Sequence, residues 1–165
     1  MKKVSILLLT LVLMLLVANV SMAAGDQTVT VNPFGLLFGI FNGTYEKSLG
    51  NQNSFLISGS FYSWELLGDR ITGLGVGGGY RMYFGDEDFS GFFGQGTAGV
   101  SFVNAPGVSA TGFDLGALAG FKWLFNQGFT VEAGAGANIL FAKLEGYDTF
   151  GGFSPALQLS LGYTW

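Results

Sequence analysis

Hydrophobic side chains recur at every second position along most of residues 28–165. In TGFDLGALAGFKWLF (111–125), Phe113, Leu115, Ala117, Ala119, Phe121, Trp123 and Phe125 share one face. Asp114, Gly116, Leu118, Gly120 and Lys122 share the other. A period of two is that of an extended strand, whose successive side chains point to opposite sides. The same alternation sets Leu74, Val76, Tyr80, Met82 and Phe84 against Gly73, Gly75, Gly77, Gly79, Arg81 and Tyr83. It sets Phe129, Val131, Ala133, Ala135, Ala137, Ile139 and Phe141 against Thr130, Glu132, Gly134, Gly136 and Asn138. Near the C-terminus Leu157, Leu159, Leu161, Tyr163 and Trp165 oppose Gln158, Ser160, Gly162 and Thr164. One face is thus apolar throughout, and the other holds mostly small or polar residues with a few charges. Small residues fit where a sheet curves around a narrow interior. A soluble sandwich turns its polar face to water, whereas a membrane barrel turns the apolar face to lipid and the polar face to its lumen.

Turn signals divide the chain. LGNQNS (49–54), GDEDFSG (85–91) and NQG (126–128) are short and polar, and WELLGDR (64–70), VNAPGVSATG (103–112) and EGYDTFGG (145–152) are the other connections. A single strand across residues 28–48 would give seven strands. A tight turn at Gly39, dividing TVTVNPFGLLF from IFNGTYEKSL, gives eight; Asn32-Pro33 is the competing break, although strand edges tolerate proline. The expected fold is all-β: an eight-stranded antiparallel up-and-down transmembrane β-barrel over residues 24–165. Short turns belong on the periplasmic side and longer loops outside, so 49–54, 85–91 and 126–128 are expected to be periplasmic.

Composition sharpens this picture. Of 165 residues, 49% are hydrophobic and only 11% charged, against about a quarter charged in a soluble domain. Lys2 and Lys3 precede an apolar run from Val4 to Val17, and Ser21-Met22-Ala23 offers small residues for a peptidase. Residues 1–23 therefore read as a secretory signal peptide cleaved after Ala23, the run being shorter than the ~20 residues of a spanning helix. Beyond it Lys47, Arg70, Arg81, Lys122 and Lys143 face 11 acids, which is no footprint for nucleic acid. The chain has no Cys, so disulfides, thiol chemistry and a lipoprotein anchor are excluded.

The final strand closes on an aromatic, with apolar residues at alternate positions before it. Leu159, Leu161, Tyr163 and Trp165 resemble the C-terminal recognition signal of bacterial outer-membrane proteins, which the barrel-assembly machinery reads. The arrangement resembles the small outer-membrane barrels related to the transmembrane domain of outer-membrane protein A and to outer-membrane proteins W and X. NPFGLLFG, TYEKSL, YRMYF and GFKWLFNQGFTVEAGAG are more closely similar to a family of bacterial barrels known only as a domain of unknown function. The resemblance implies the fold and the outer membrane as location. The expected partners are outer-membrane lipid, the assembly machinery and periplasmic chaperones, and the expected state is a monomer.

Related small barrels that deacylate or palmitoylate lipid A resemble one another in using a His. This chain has none, so a Ser–His relay is impossible and imidazole metal sites are absent. Asp86, Glu87 and Asp88 cluster in one short turn and read as solvated. No catalytic residue, cofactor or metal is expected. The remaining constellation is a lumen charge cluster of Glu46, Arg81, Lys122 and Glu132, all on inward positions within four residues of an expected periplasmic turn. Two acids and two bases in one narrow layer should pair, because an isolated buried charge costs several kcal/mol. The expected pairs are Arg81 with Glu46 and Lys122 with Glu132, acting as a structural plug or as a gate. The expected role is structural or surface-interacting, with a small channel, a lipid-modifying enzyme and a soluble periplasmic barrel as rivals.

Overall fold

The alternating segments all fold as strands, and the ladder closes on itself. In this computed structural model, which describes residues 25–66, 69–85, 87–144 and 150–165, the strands are β1 (Gln27–Val31), β2 (Ile40–Gly50), β3 (Asn53–Leu66) and β4 (Asp69–Phe84), followed by β5 (Gly91–Ala105), β6 (Val108–Leu124), β7 (Phe129–Leu144) and β8 (Phe150–Thr164). Each pairs antiparallel with its chain neighbour, and β1 closes the barrel on β8. The segment read as a signal peptide lies outside the described residues, as do Asp86 and residues 145–149.

The faces follow the alternation. Phe113, Leu115, Ile139 and Phe141 stand exposed on the outer wall, as do Leu74, Val76 and Tyr80. Phe121 is half-buried there under Phe92 and Trp123, whose ring centroids each lie 4.7 Å from its own. The inner positions Arg81, Tyr83, Lys122, Thr130 and Glu132 are buried.

At one end, called lower here, the chain turns at Asn51 and Gln52, at 85–90 and around 126–128. Asn51 and Gln52 both have positive φ, 52° and 65°, which a two-residue hairpin turn requires. The upper connections differ from expectation. Pairing runs to Leu66↔Asp69 and to Ala105↔Val108, so 64–70 and 103–112 are mostly strand rather than loop. Ladder hydrogen bonding continues through residues of turn-forming type. β3 to β8 run 14 to 17 residues, longer than the ~9–11 that cross a bilayer.

The first strand also differs. It was expected to run to Phe38, but it stops at Val31, and both candidate breaks are used. The Asn32 side chain accepts hydrogen bonds from the N–H groups of Phe34 (2.9 Å) and Gly35 (3.1 Å). It thereby caps a one-turn helix, α1 (Pro33–Leu37). Pro33 opens that helix, where a missing N–H costs nothing. Gly39, at φ +75°, reverses the chain into β2. The upper half of β1 is therefore absent from the wall.

Candidate functional site

The barrel fixes four charged side chains in one layer near its lower end. Glu46 comes from β2, Arg81 from β4, Lys122 from β6 and Glu132 from β7. None is more than 2% exposed. Arg81 holds Glu132 with both prongs of its guanidinium, Nη1–Oε1 at 2.8 Å and Nη2–Oε2 at 3.2 Å. Its Nη1 also reaches Glu46 Oε2 at 3.0 Å, and its Nε and Nη2 donate to Gln95 Oε1 at 3.0 and 2.7 Å. Lys122 Nζ donates to Glu46 Oε2 at 2.9 Å and to Thr28 Oγ1 at 2.8 Å. The other Glu46 oxygen accepts from Ser54 (2.5 Å) and Tyr83 (2.6 Å).

The expected pairing is half right. Arg81 does meet Glu46, but Lys122 and Glu132 form no ion pair although they sit opposite each other in the β6–β7 register. The reason lies in shape. A planar guanidinium fork matches a carboxylate edge-on, and Arg81 takes Glu132 in that way. The compact ammonium of Lys122 settles between Glu46, Thr28 and the ring of Phe89, whose centroid is 3.6 Å away. Glu46 becomes the shared acid.

Sequence reasoning missed much of what surrounds this layer. Tyr83, Gln95, Thr28 and Gln158, which donates to Glu132 at 2.6 Å, complete the polar shell. Nothing separates them in sequence from the neutral polar residues that populate any lumen face. Ser54 and Phe89 lie in segments read as turns. Among the described residues between β4 and β5, Phe89 is buried and joins Tyr83 and Phe93 as an aromatic floor, and the Arg81 guanidinium stacks 3.9 Å above the Phe93 ring. A Phe within GDEDFSG was the available signal. Glu87 and Asp88 are exposed, as expected of that turn. Among the described residues no buried side-chain polar atom lacks a hydrogen-bond partner. The layer is buried and paired, with the aromatic floor beneath it.

Above it lies a cavity of about 340 Å³, with Arg81 and Gln95 at its floor and Ser58, Thr97, Asp114 and Asn138 along its wall. Among the described residues no three His, Cys, Asp or Glu side chains converge as metal ligands. Leu159, Leu161 and Tyr163 occupy the outer face of β8, and Trp165 follows the strand directly. The Tyr163 and Trp165 rings stack with centroids 6.4 Å apart. The Trp165 carbonyl accepts the Asp26 and Gln27 N–H groups at 3.0 and 3.1 Å. Comparisons with family models, with curated proteins and with solved structures find no match to this chain.

Proposed function

We propose that the chain is a monomeric bacterial outer-membrane barrel, exported by its N-terminal signal and inserted by the barrel-assembly machinery with periplasmic chaperones. Its role in this reading is structural, or one of surface interaction, in the cell envelope. Three features support the location: an outer wall of exposed aliphatic and aromatic side chains, strands long enough to cross a bilayer, and aromatics on the last strand at the depth where amphipathic rings are favoured. The resemblance to the outer-membrane protein A, W and X barrels points the same way. No catalysis is assigned, since a chain without His cannot build the relay used by the lipid-modifying barrels it resembles.

The observation that carries the choice of a closed barrel over a channel is the fully paired Glu46–Arg81–Lys122–Glu132 layer on its aromatic floor. Opening a path would separate buried ion pairs, at about 3–5 kcal/mol for each charge left uncompensated. The test combines membrane fractionation with planar-bilayer recording of the purified chain. The expected result is recovery with the outer membrane and no stable conductance. Recovery in the soluble fraction would overturn the location, and sustained openings of the unmodified protein would replace the plug by a channel.

A further inference from the structure

Above Val31 the barrel wall lacks half a strand. β8 extends up to Phe150, yet β1 pairs with it only from Leu161 to Thr164. Gln27 and Trp165 exchange both backbone hydrogen bonds, at 3.1 and 2.9 Å. The odd-numbered residues of β8 therefore turn their N–H and C=O groups toward β1. Higher up, Leu159, Leu157, Pro155, Phe153 and Gly151 aim those groups at a side that has no strand. Pro155 has no N–H to leave unpaired, and this is where a strand tolerates proline. α1 lies beside β8 where the rest of β1 would run, but among the described residues no backbone hydrogen bond joins the two. The wall has a notch here.

This notch communicates with the cavity. The cavity lining takes in Asn32 and Asn42 on one side of the gap and Ala156, Leu157 and Ser160 on the other. On the outer-membrane reading, on which this inference rests, counting ~9–11 residues per crossing up from Trp165 sets Leu157 and Leu159 in the outer half of the hydrocarbon. Unpaired backbone at that depth is tolerated where it lines a polar cavity. Outside the notch, Leu157 is 84% and Phe153 74% exposed, with Phe34, Leu37 and Phe38 of the α1 region exposed across the gap. The opening is apolar outside and hydrogen-bonding within.

The charge of the cavity is also uneven. Arg81, at the floor, is already taken by Glu46, Glu132 and Gln95. Asp114, on the wall, has no ion-pair partner among the described residues. Its carboxylate fills the space that a side chain on Gly99 would need, since a Cβ there would lie 2.7 Å from Oδ1. Two residues further along β6, the Thr97 hydroxyl and the Asn138 side-chain amide oxygen crowd Gly116, each 2.5 Å from where a Cβ would lie. The cavity presents acceptors and one uncompensated negative charge.

We propose that the notch and the cavity together form a binding site for a single-chain amphiphile with an amine head, entered sideways from the outer leaflet. The ammonium group lies against Asp114, Thr97 and Asn138, and the alkyl chain leaves through the notch past Leu157 and Phe153. A volume of about 340 Å³ is at the small end of ligand pockets, which span about 300–1,000 Å³. It accommodates a head group and the start of a chain, with the remainder in lipid.

The test uses the full chain reconstituted in phosphatidylcholine vesicles, probed with dodecylamine carrying a diazirine on its terminal carbon. Insertion is scored first, by heat-dependent gel migration and protease protection. Failure at that stage sinks the outer-membrane reading itself. In inserted protein, cross-links should concentrate on residues 34–38 and 153–159 rather than on Leu115 and Ile139 elsewhere on the belt. Unlabelled dodecylamine should compete for them and dodecyl sulfate should not. Asp114→Asn, which removes a group with no partner to strand, should leave heat-dependent migration intact and weaken competition by dodecylamine at least about tenfold, the loss of one charge-assisted hydrogen bond. Cross-links spread evenly around the belt, equal competition by the sulfate, or an unchanged Asp114→Asn variant would each overturn the site while leaving the barrel reading intact.

Discussion

Removing Arg81 tests whether the lumen layer is wired as its geometry indicates. Arg81→Met takes two hydrogen bonds from Glu132 and one from Glu46. Glu46 keeps Lys122, Ser54 and Tyr83 as donors. Glu132 keeps only Gln158, so it becomes the uncompensated buried charge. That situation costs about 3–5 kcal/mol, and losing the stacking over Phe93 adds about 0.5–2 kcal/mol. Adding Glu132→Gln removes the stranded charge, and the double variant should recover about 2–3 kcal/mol relative to the sum of the single changes. The companion cycle of Lys122→Met with Glu132→Gln joins two residues opposite each other in register that form no ion pair. Its coupling should be clearly smaller than that of Arg81 with Glu132, because these two act on each other only through space and through the shared Glu46 and Arg81. The assay is urea unfolding in lipid vesicles, followed by tryptophan fluorescence, with the denaturant slope checked for constancy across variants. A Lys122–Glu132 coupling larger than the Arg81–Glu132 coupling would refute the wiring and restore simple cross-strand pairing.

Boiled and unboiled samples should migrate differently in detergent gels, because a closed ladder resists detergent until heated; identical mobility would count against the closed barrel. Deleting Trp165 should lower the amount inserted in cells while refolding in detergent stays nearly normal, and undiminished cellular insertion would remove its role as an assembly signal. Arg at Ala119 or Ala135, mid-strand on the outer face, should cost about 2–4 kcal/mol and much less at Phe153 near the rim, so a flat response would overturn the facing assignment. Asp26 sits outside the strands at the lower rim, where the Lys47 hydrogen bond is the main influence holding its carboxyl below the ordinary carboxylate value. A depressed folded value means that this contact contributes at neutral pH and fades as the pH falls through it. Lys47→Ala should therefore raise the Asp26 midpoint in an NMR titration, and an unmoved midpoint would show that Lys47 is not the cause.

Most of the wall was legible because a strand with one apolar outer face and one lumen face has to alternate. Phe113 to Phe125 and Leu157 to Trp165 carry that constraint residue by residue. Turn placement was less legible at the upper end, where VNAPGVSATG has loop-forming residues yet stays paired to Ala105↔Val108. There residues of loop-forming type compete with the cross-strand ladder, and the ladder hydrogen bonding prevails. The layer holding Glu46, Arg81, Lys122 and Glu132 could be placed from spacing to the turns. Which acid meets which base could not, since alternation gives height and facing but not the direction in which a long side chain crosses the lumen. Phe89 was hidden for a related reason: a connection between strands has no period to read.

The β1–β8 closure also sets the order in which the molecule can assemble. Thr28 and Thr164, hydrogen-bonded at 2.8 Å, lie 136 residues apart in sequence, whereas every other strand pair joins neighbours along the chain. Loop-closure entropy makes such a contact slow to form unaided, and β1 offers it only five residues. The hairpins from β2 to β8 can therefore zip up as a curved open sheet before the cylinder shuts. Until it does, Lys122 lacks its Thr28 acceptor and the lower end of the lumen stays open to water. The charged layer is thus complete only in the closed cylinder, because its Lys122–Thr28 contact needs β1 in place.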